Sequence, residues 1–168
     1  LFAGPIPESL VSLDLRGIQL DGAGWNWFLG LPCLQQMERL ALWANLDNRN
    51  HALGFLSRQP HLENLRSLWL AGEPGEHFLT YGEHLRGLKH LVVQGDGWFD
   101  PSRDHQPVQL NLPELVTLRQ EYLTEADLVW RLLEGEAWPA LRVLEFRRWQ
   151  NNYAEAMPHL LRAELLPR

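Results

Sequence analysis

The sequence predicts an α/β solenoid of about six stacked repeats, and three observations predict it. An apolar residue followed at +3 and +5 by two more recurs along nearly the whole chain. Five Pro-x-Leu tripeptides accompany that pattern. Leucine fills 35 of the 168 positions, whereas isoleucine occurs only at Ile6 and Ile18. Self-similarity at such a period marks short units that cannot bury their apolar faces alone and must stack on one another.

Taken in order, the pattern reads Leu10-Leu13-Leu15, Met37-Leu40-Leu42, Leu65-Leu68-Leu70 and Leu88-Leu91-Val93. It continues as Leu115-Leu118-Gln120 and Leu141-Leu144-Phe146, with a degraded copy at Leu160-Ala163-Leu165. The starts are spaced by 27, 28, 23, 27, 26 and 19 residues. The tripeptides begin at Pro32, Pro60, Pro113, Pro139 and Pro158. A proline there ends a preceding helix and hands the chain to an extended segment. Residues 124–135 predict a helix, with Thr124 and Asp127 as a capping box, Ala126, Val129, Leu132 and Leu133 on one face, and Gly135 as its stop. Residues 51–59, with Leu53 and Leu56 as an apolar pair, predict a weaker one.

These residues resemble the leucine-rich repeat family over positions 8–168. The stretch from Leu10 to Leu20 follows L-x-x-L-x-L-x-x-N-x-L except at the Asn, where Ile18 stands. The long spacing, with Gly24 and Phe28 in the first repeat, resembles the ribonuclease-inhibitor-like subclass. Asn45 alone keeps the pattern's Asn; the other repeats hold Glu73, Asp96, Leu123 and Trp149, which makes the chain an irregular member. The resemblance implies a single domain over 1–168, with a curved parallel sheet on the concave face and helices and irregular segments on the convex face. It also implies partner binding through the concave sheet.

On such a sheet the +3 and +5 residues point inward and those between them point out. The outward rows then run Asp14, Ala41, Trp69, Val92, Arg119, Glu145 and Arg16, Trp43, Ala71, Gln94, Glu121, Arg147. Trp43 and Trp69 become diagonal neighbours, with Arg16, Arg39, Arg66, Lys89 and His90 along the rim. Arg119, Tyr122, Arg142, Arg147 and Arg148, with Glu121 and Glu145, form a second cluster. Exposed Trp among Arg is the composition of binding hot spots. The partner-binding candidates are Trp43, Trp69, Arg16, Arg39, Arg66, Val92, Arg119 and Arg147. The alternative reading folds the loop 44–50 over Trp43 and turns both tryptophans into a satellite core. Trp25, Trp27, Trp130 and Trp138 read as structural, as do Trp98 and Trp149.

Phosphate loops, H-E-x-x-H, G-x-S-x-G and the dinucleotide fingerprint do not occur. Cys33 reads as a buried thiol. His51, Glu73, Glu76, His77, His84, Asp96, Asp100, Asp104 and His105 fall on loops that leave strands two to four at one edge. Imidazoles and carboxylates of that kind bind transition metals, so a metal-dependent enzyme is the alternative function. No pair has tight ligand spacing. The insertion 95–107 lacks the order of a calcium loop. The expectation is therefore a module that binds a protein partner, without catalysis or cofactor.

The net charge of −6 argues against nucleic acid as the partner. No apolar run is long enough for a transmembrane helix. One cysteine excludes an internal disulfide and fits a reducing, cytoplasmic compartment. A start without Met and an end in mid-pattern at Arg168 read as a piece of a longer chain, whose role is then structural or sensory. Apolar ends, including Phe2 and Leu165, would permit end-to-end self-association.

Overall fold

The computed structural model describes residues 7–44, 60–72, 83–94, 112–121 and 138–147. They form one six-stranded parallel sheet in which every strand pairs with its successor in sequence. The strands are β1 (Ser12–Gln19), β2 (Arg39–Ala44), β3 (Ser67–Gly72), β4 (His90–Gln94), β5 (Thr117–Glu121) and β6 (Val143–Arg147). From β2 to β6 the register advances with no slip: Leu40, Leu68, Leu91, Leu118 and Leu144 lie in one line. Leu42, Leu70, Val93, Gln120 and Phe146 lie in the next. Both lines are the +3 and +5 positions of the sequence pattern.

A recurring turn launches each strand. The N–H of the pattern's first residue donates to the carbonyl three residues earlier: Met37 to Leu34, Leu65 to Leu62, Leu88 to Leu85, Leu115 to Leu112 and Leu141 to Trp138, at 2.9–3.2 Å. Both residues of every such pair are buried. Proline serves this turn in two ways. Pro32 and Pro60 open 3-10 turns, Pro32–Gln36 and Pro60–Leu62, where a missing N–H costs nothing. Pro113 and Pro139 instead take the second position of the turn, which their fixed φ suits. Residues 83–88 make the same turn without proline, around Gly87.

One step later the backbone ties the repeats together. The carbonyls of Val11, Glu38, Arg66, Lys89 and Val116 each accept two N–H groups from the following repeat, at 2.8–3.0 Å. Both lone pairs of each oxygen are thereby used. The Asn64 side chain adds a bond to the Gln35 carbonyl at 2.7 Å. Apart from Ile18, which is half-buried, the positions of the family's Asn lie outside the described residues.

Beneath the sheet, the inward leucines pack with the turn residues into one core. Leu68, Leu70, Leu91, Val93 and Leu118 are fully buried, whereas Leu13 at one end and Leu144 and Phe146 at the other are only partly so. Strand position explains the difference, since a central strand has neighbours on both sides.

The helix α1 (Gly22–Leu29) follows β1 and was not foreseen in the sequence. Asp21 caps it by accepting the Gly24 N–H at 2.7 Å, and Gly30 closes it. Trp25 and Phe28 bury their rings edge to face, 5.8 Å apart. Trp27, expected to be structural like Trp25, is 38% exposed, against 7% for Trp25. Trp138 is buried, while Trp98, Trp130 and Trp149 lie outside the described residues. So do the helices expected over 51–59 and 124–135. Among the described residues no helix is long and apolar enough to cross a membrane.

Candidate aromatic and arginine face

Strand alternation places residues 39, 41 and 43 on the side of β2 opposite its buried leucines. Residues 67, 69 and 71 of β3 share that side. Trp69 stands in register with Ala41 and Val92, and Trp43 with Ala71. The two tryptophans are therefore diagonal neighbours in adjoining rows, with α-carbons roughly 8 Å apart by strand geometry. Trp43 is 41% exposed and Trp69 half-buried. Ala71, in register between Trp43 and Gln94, is buried although it lies on this outer side. The loop residues 45–50, invoked as a cover for Trp43, lie outside the described residues.

Arg16 completes the platform by an irregularity. Pairing between β1 and β2 is regular to Leu15 and Leu42, then jumps so that Trp43 faces Gln19. The residues in between contain Gly17 at φ +78°, a backbone state that side chains disfavour. This bulge carries Arg16 out of line. Its guanidinium lies 5.4 Å from the centroid of the Trp69 ring. Trp69 is two strands from β1, roughly 10 Å away. Only the methyl of Ala41 stands between them in that row.

Asp14 holds the guanidinium in place. Its carboxylate accepts Arg16 Nη2 at 2.6 Å and Nε at 2.9 Å, and the Arg16 backbone N–H at 2.9 Å. These bonds, the side-chain ones foremost, lower the Asp14 pKa and raise that of Arg16. A second ion pair network closes the far end of the face. Glu145 accepts Arg147 Nε on one oxygen and Arg119 Nε on the other, both at 2.6 Å. Hydrogen bonding to Arg147 first, and then to Arg119, holds the Glu145 carboxyl below its usual range.

Of the eight residues singled out in the sequence, Arg16, Trp43 and Trp69 gather at one end and Arg119 and Arg147 at the other, with Val92 in register between Trp69 and Arg119. Arg39 is exposed on β2. Arg66 departs from the group: its Nη1 donates to the carbonyls of Glu63 at 3.1 Å and Gly87 at 3.2 Å, which anchors it to the turns. Arg142 likewise bonds the carbonyls of Pro139 and Leu141, at the opposite end of β6 from Arg147. Tyr122 and Arg148 lie outside the described residues. Sequence reasoning missed the bulge, for which Gly17 inside a strand pattern was the available signal. It also missed the clamp from Asp14, two residues from Arg16.

Of the loop residues considered for a metal, His84 is described, on the turn Glu83–Leu85, and the others are not. Among the described residues no group of three or more His, Cys, Asp or Glu is placed to hold a metal. Cys33 is buried, and that burial pushes its thiol pKa up.

No protein-family model matches the chain, and comparison with curated proteins and with solved structures likewise finds no match.

Proposed function

We propose that the chain is a leucine-rich repeat solenoid, resident in the cytoplasm, that binds a protein partner through the concave face of its sheet without catalysing a reaction. Consecutive parallel neighbours, slip-free register from β2 onward and a repeated launching turn support the solenoid reading. The observation that carries the binding reading is the outer platform itself. An exposed Trp43 beside a half-buried Trp69, with Arg16 stacked on the latter, is large apolar area that the core does not use. Trp and Arg dominate binding energy because each offers much contact area for few ordered torsions or a rigid donor fork. Asp14 fixes the guanidinium beforehand, so less side-chain freedom is lost when a partner docks.

The test is affinity capture from source lysate with wild type and the Trp43→Ala/Trp69→Ala variant side by side, quantified by mass spectrometry. Circular dichroism of both proteins checks that the fold survives. A partner held by wild type should lose at least about 2 kcal/mol of affinity in the variant. Equal capture by both proteins overturns the reading.

A further inference from the structure

The outer face carries a third row, beside the one that holds Trp69. Its first five members open β1 to β5: Ser12, Arg39, Ser67, His90 and Thr117, each in register with the next; Val143, exposed and apolar, ends the row on β6. They share the side of Asp14, Ala41, Trp69, Val92 and Arg119, which follow two residues later. Four strand steps of about 4.8 Å make the line of the first five roughly 19 Å long. Each of these five bears a hydrogen-bond donor and none bears a carboxylate. Ser12, Arg39 and His90 are exposed, and Ser67 and Thr117 half-buried.

Charge separates this row from the other two. Arg16 is matched by Asp14, and Arg119 and Arg147 by Glu145. Among the described residues no ion pair or side-chain hydrogen bond engages Arg39, and none engages the hydroxyls or the imidazole beside it. At the row's edge Lys89, exposed and next to His90, adds a second cation, and Glu38, exposed and next to Arg39, adds a carboxylate. A line of donors that holds no carboxylate of its own and whose Arg39 guanidinium no carboxylate engages, in a protein of net charge −6, complements carboxylates.

We infer that this row binds the carboxylates of an extended acidic segment of the partner, an inference that rests on the face being the protein-binding surface. An extended chain rises about 3.3 Å per residue, so the row matches roughly six residues. Laid across the strands between the donor row and the tryptophans, such a segment turns alternate side chains to opposite sides. The partner segment therefore alternates acidic residues, facing Arg39 and His90, with apolar residues, facing Trp43 and Trp69.

The experiment selects binders from a random peptide display library on the immobilised 168-residue chain and sequences the pool. Asp and Glu at alternate positions beside Leu or aromatic residues is the expected outcome. The best-enriched peptide should bind Arg39→Gln about tenfold more weakly than wild type, the loss of one charged hydrogen-bonding partner. It should also weaken as salt is raised. Ser67→Ala, conservative at a half-buried position, should give a smaller loss in the same direction. A pool without acidic enrichment, or unchanged binding by Arg39→Gln, overturns the inference. If that pool still fails to bind Trp43→Ala/Trp69→Ala, the face stands as the binding surface and only the acidic partner falls. No enrichment at all removes both. A dimer of the chain that Arg39→Gln dissociates would make a second copy the occupant and overturn the inference as well.

Discussion

Arg16 reaches over a whole strand to stack on Trp69, its guanidinium 5.4 Å from the ring centroid. Two small residues make this possible. Gly17 lets β1 bulge, and Ala41 leaves the space between them open. Neither residue is among the binding candidates, yet both shape the surface that carries them.

Gly17→Ala should therefore act on stability and on the platform together. Nothing lies within 4 Å of an added Cβ, so the penalty comes from φ +78° alone. The expected loss is about 1–2 kcal/mol by urea denaturation. Arg16→Ala, which removes an exposed stacking contact, should cost less than Gly17→Ala. Equal stability of Gly17→Ala and wild type would show that the bulge is not held in solution.

The leucine lines make a graded prediction. Leu68→Ala, in the middle of the sheet and fully buried, should cost about 2–5 kcal/mol. Leu13→Ala, partly exposed on β1, should cost clearly less. Chemical denaturation of the two variants measures the difference, and equal losses would contradict the placement of β1 at the sheet edge.

Gly87 and Arg66 are coupled. A Cβ at Gly87 would overlap Arg66 Nη1, so Gly87→Ala must displace the guanidinium and break its bonds to Glu63 and Gly87. A loss of about 1 kcal/mol is expected. Most of it should vanish in an Arg66→Ala background, because the guanidinium is then already gone. A full double-mutant cycle by denaturation tests this.

Asp14 and Glu145 both titrate below their ordinary ranges. As pH falls, the unfolded chain takes up protons first, near the usual carboxyl value of about 4. Stability from these two groups is thus fully present above that range and is lost as pH falls through it to the lowered native values. Carbon-13 NMR should place both midpoints below those of Asp14 and Glu145 in the urea-unfolded chain. Arg16→Gln and Arg147→Gln should each move the paired carboxyl back up.

Cys33 should resist thiol reagents in the native state, since burial both blocks access and raises its pKa. Reaction with dithiobis-nitrobenzoate should be slow until denaturant is added. Rapid labelling of the native protein would contradict the packing of the turn Pro32–Gln36.

The inward lines were legible residue by residue, because a period of two within each strand and a fixed +3/+5 spacing translate directly into buried sides. Leu68 beside Leu40 and Leu91 needed no coordinates. Trp43 and Trp69 as diagonal neighbours followed from the same alternation. Arg66 did not, because whether a long side chain lies on a face or bonds a turn depends on which carbonyls come within reach. The helix α1 was equally hidden: its start is signalled by Asp21, but the apolar spacing of Trp25 and Phe28 is too short to separate helix from irregular return.

What the sequence by itself determined is the stacking order, the two buried lines and the set of residues on the outer face, all consequences of local periodicity. The tertiary structure decided which outer charges are already matched. Glu145 takes Arg119 from the neighbouring strand and Arg147 from its own, and Asp14 takes Arg16 through a bulge. Arg39 stands exposed among hydroxyls. Ion pairing depends on distances across strands and on side-chain reach, and no one-dimensional pattern encodes either.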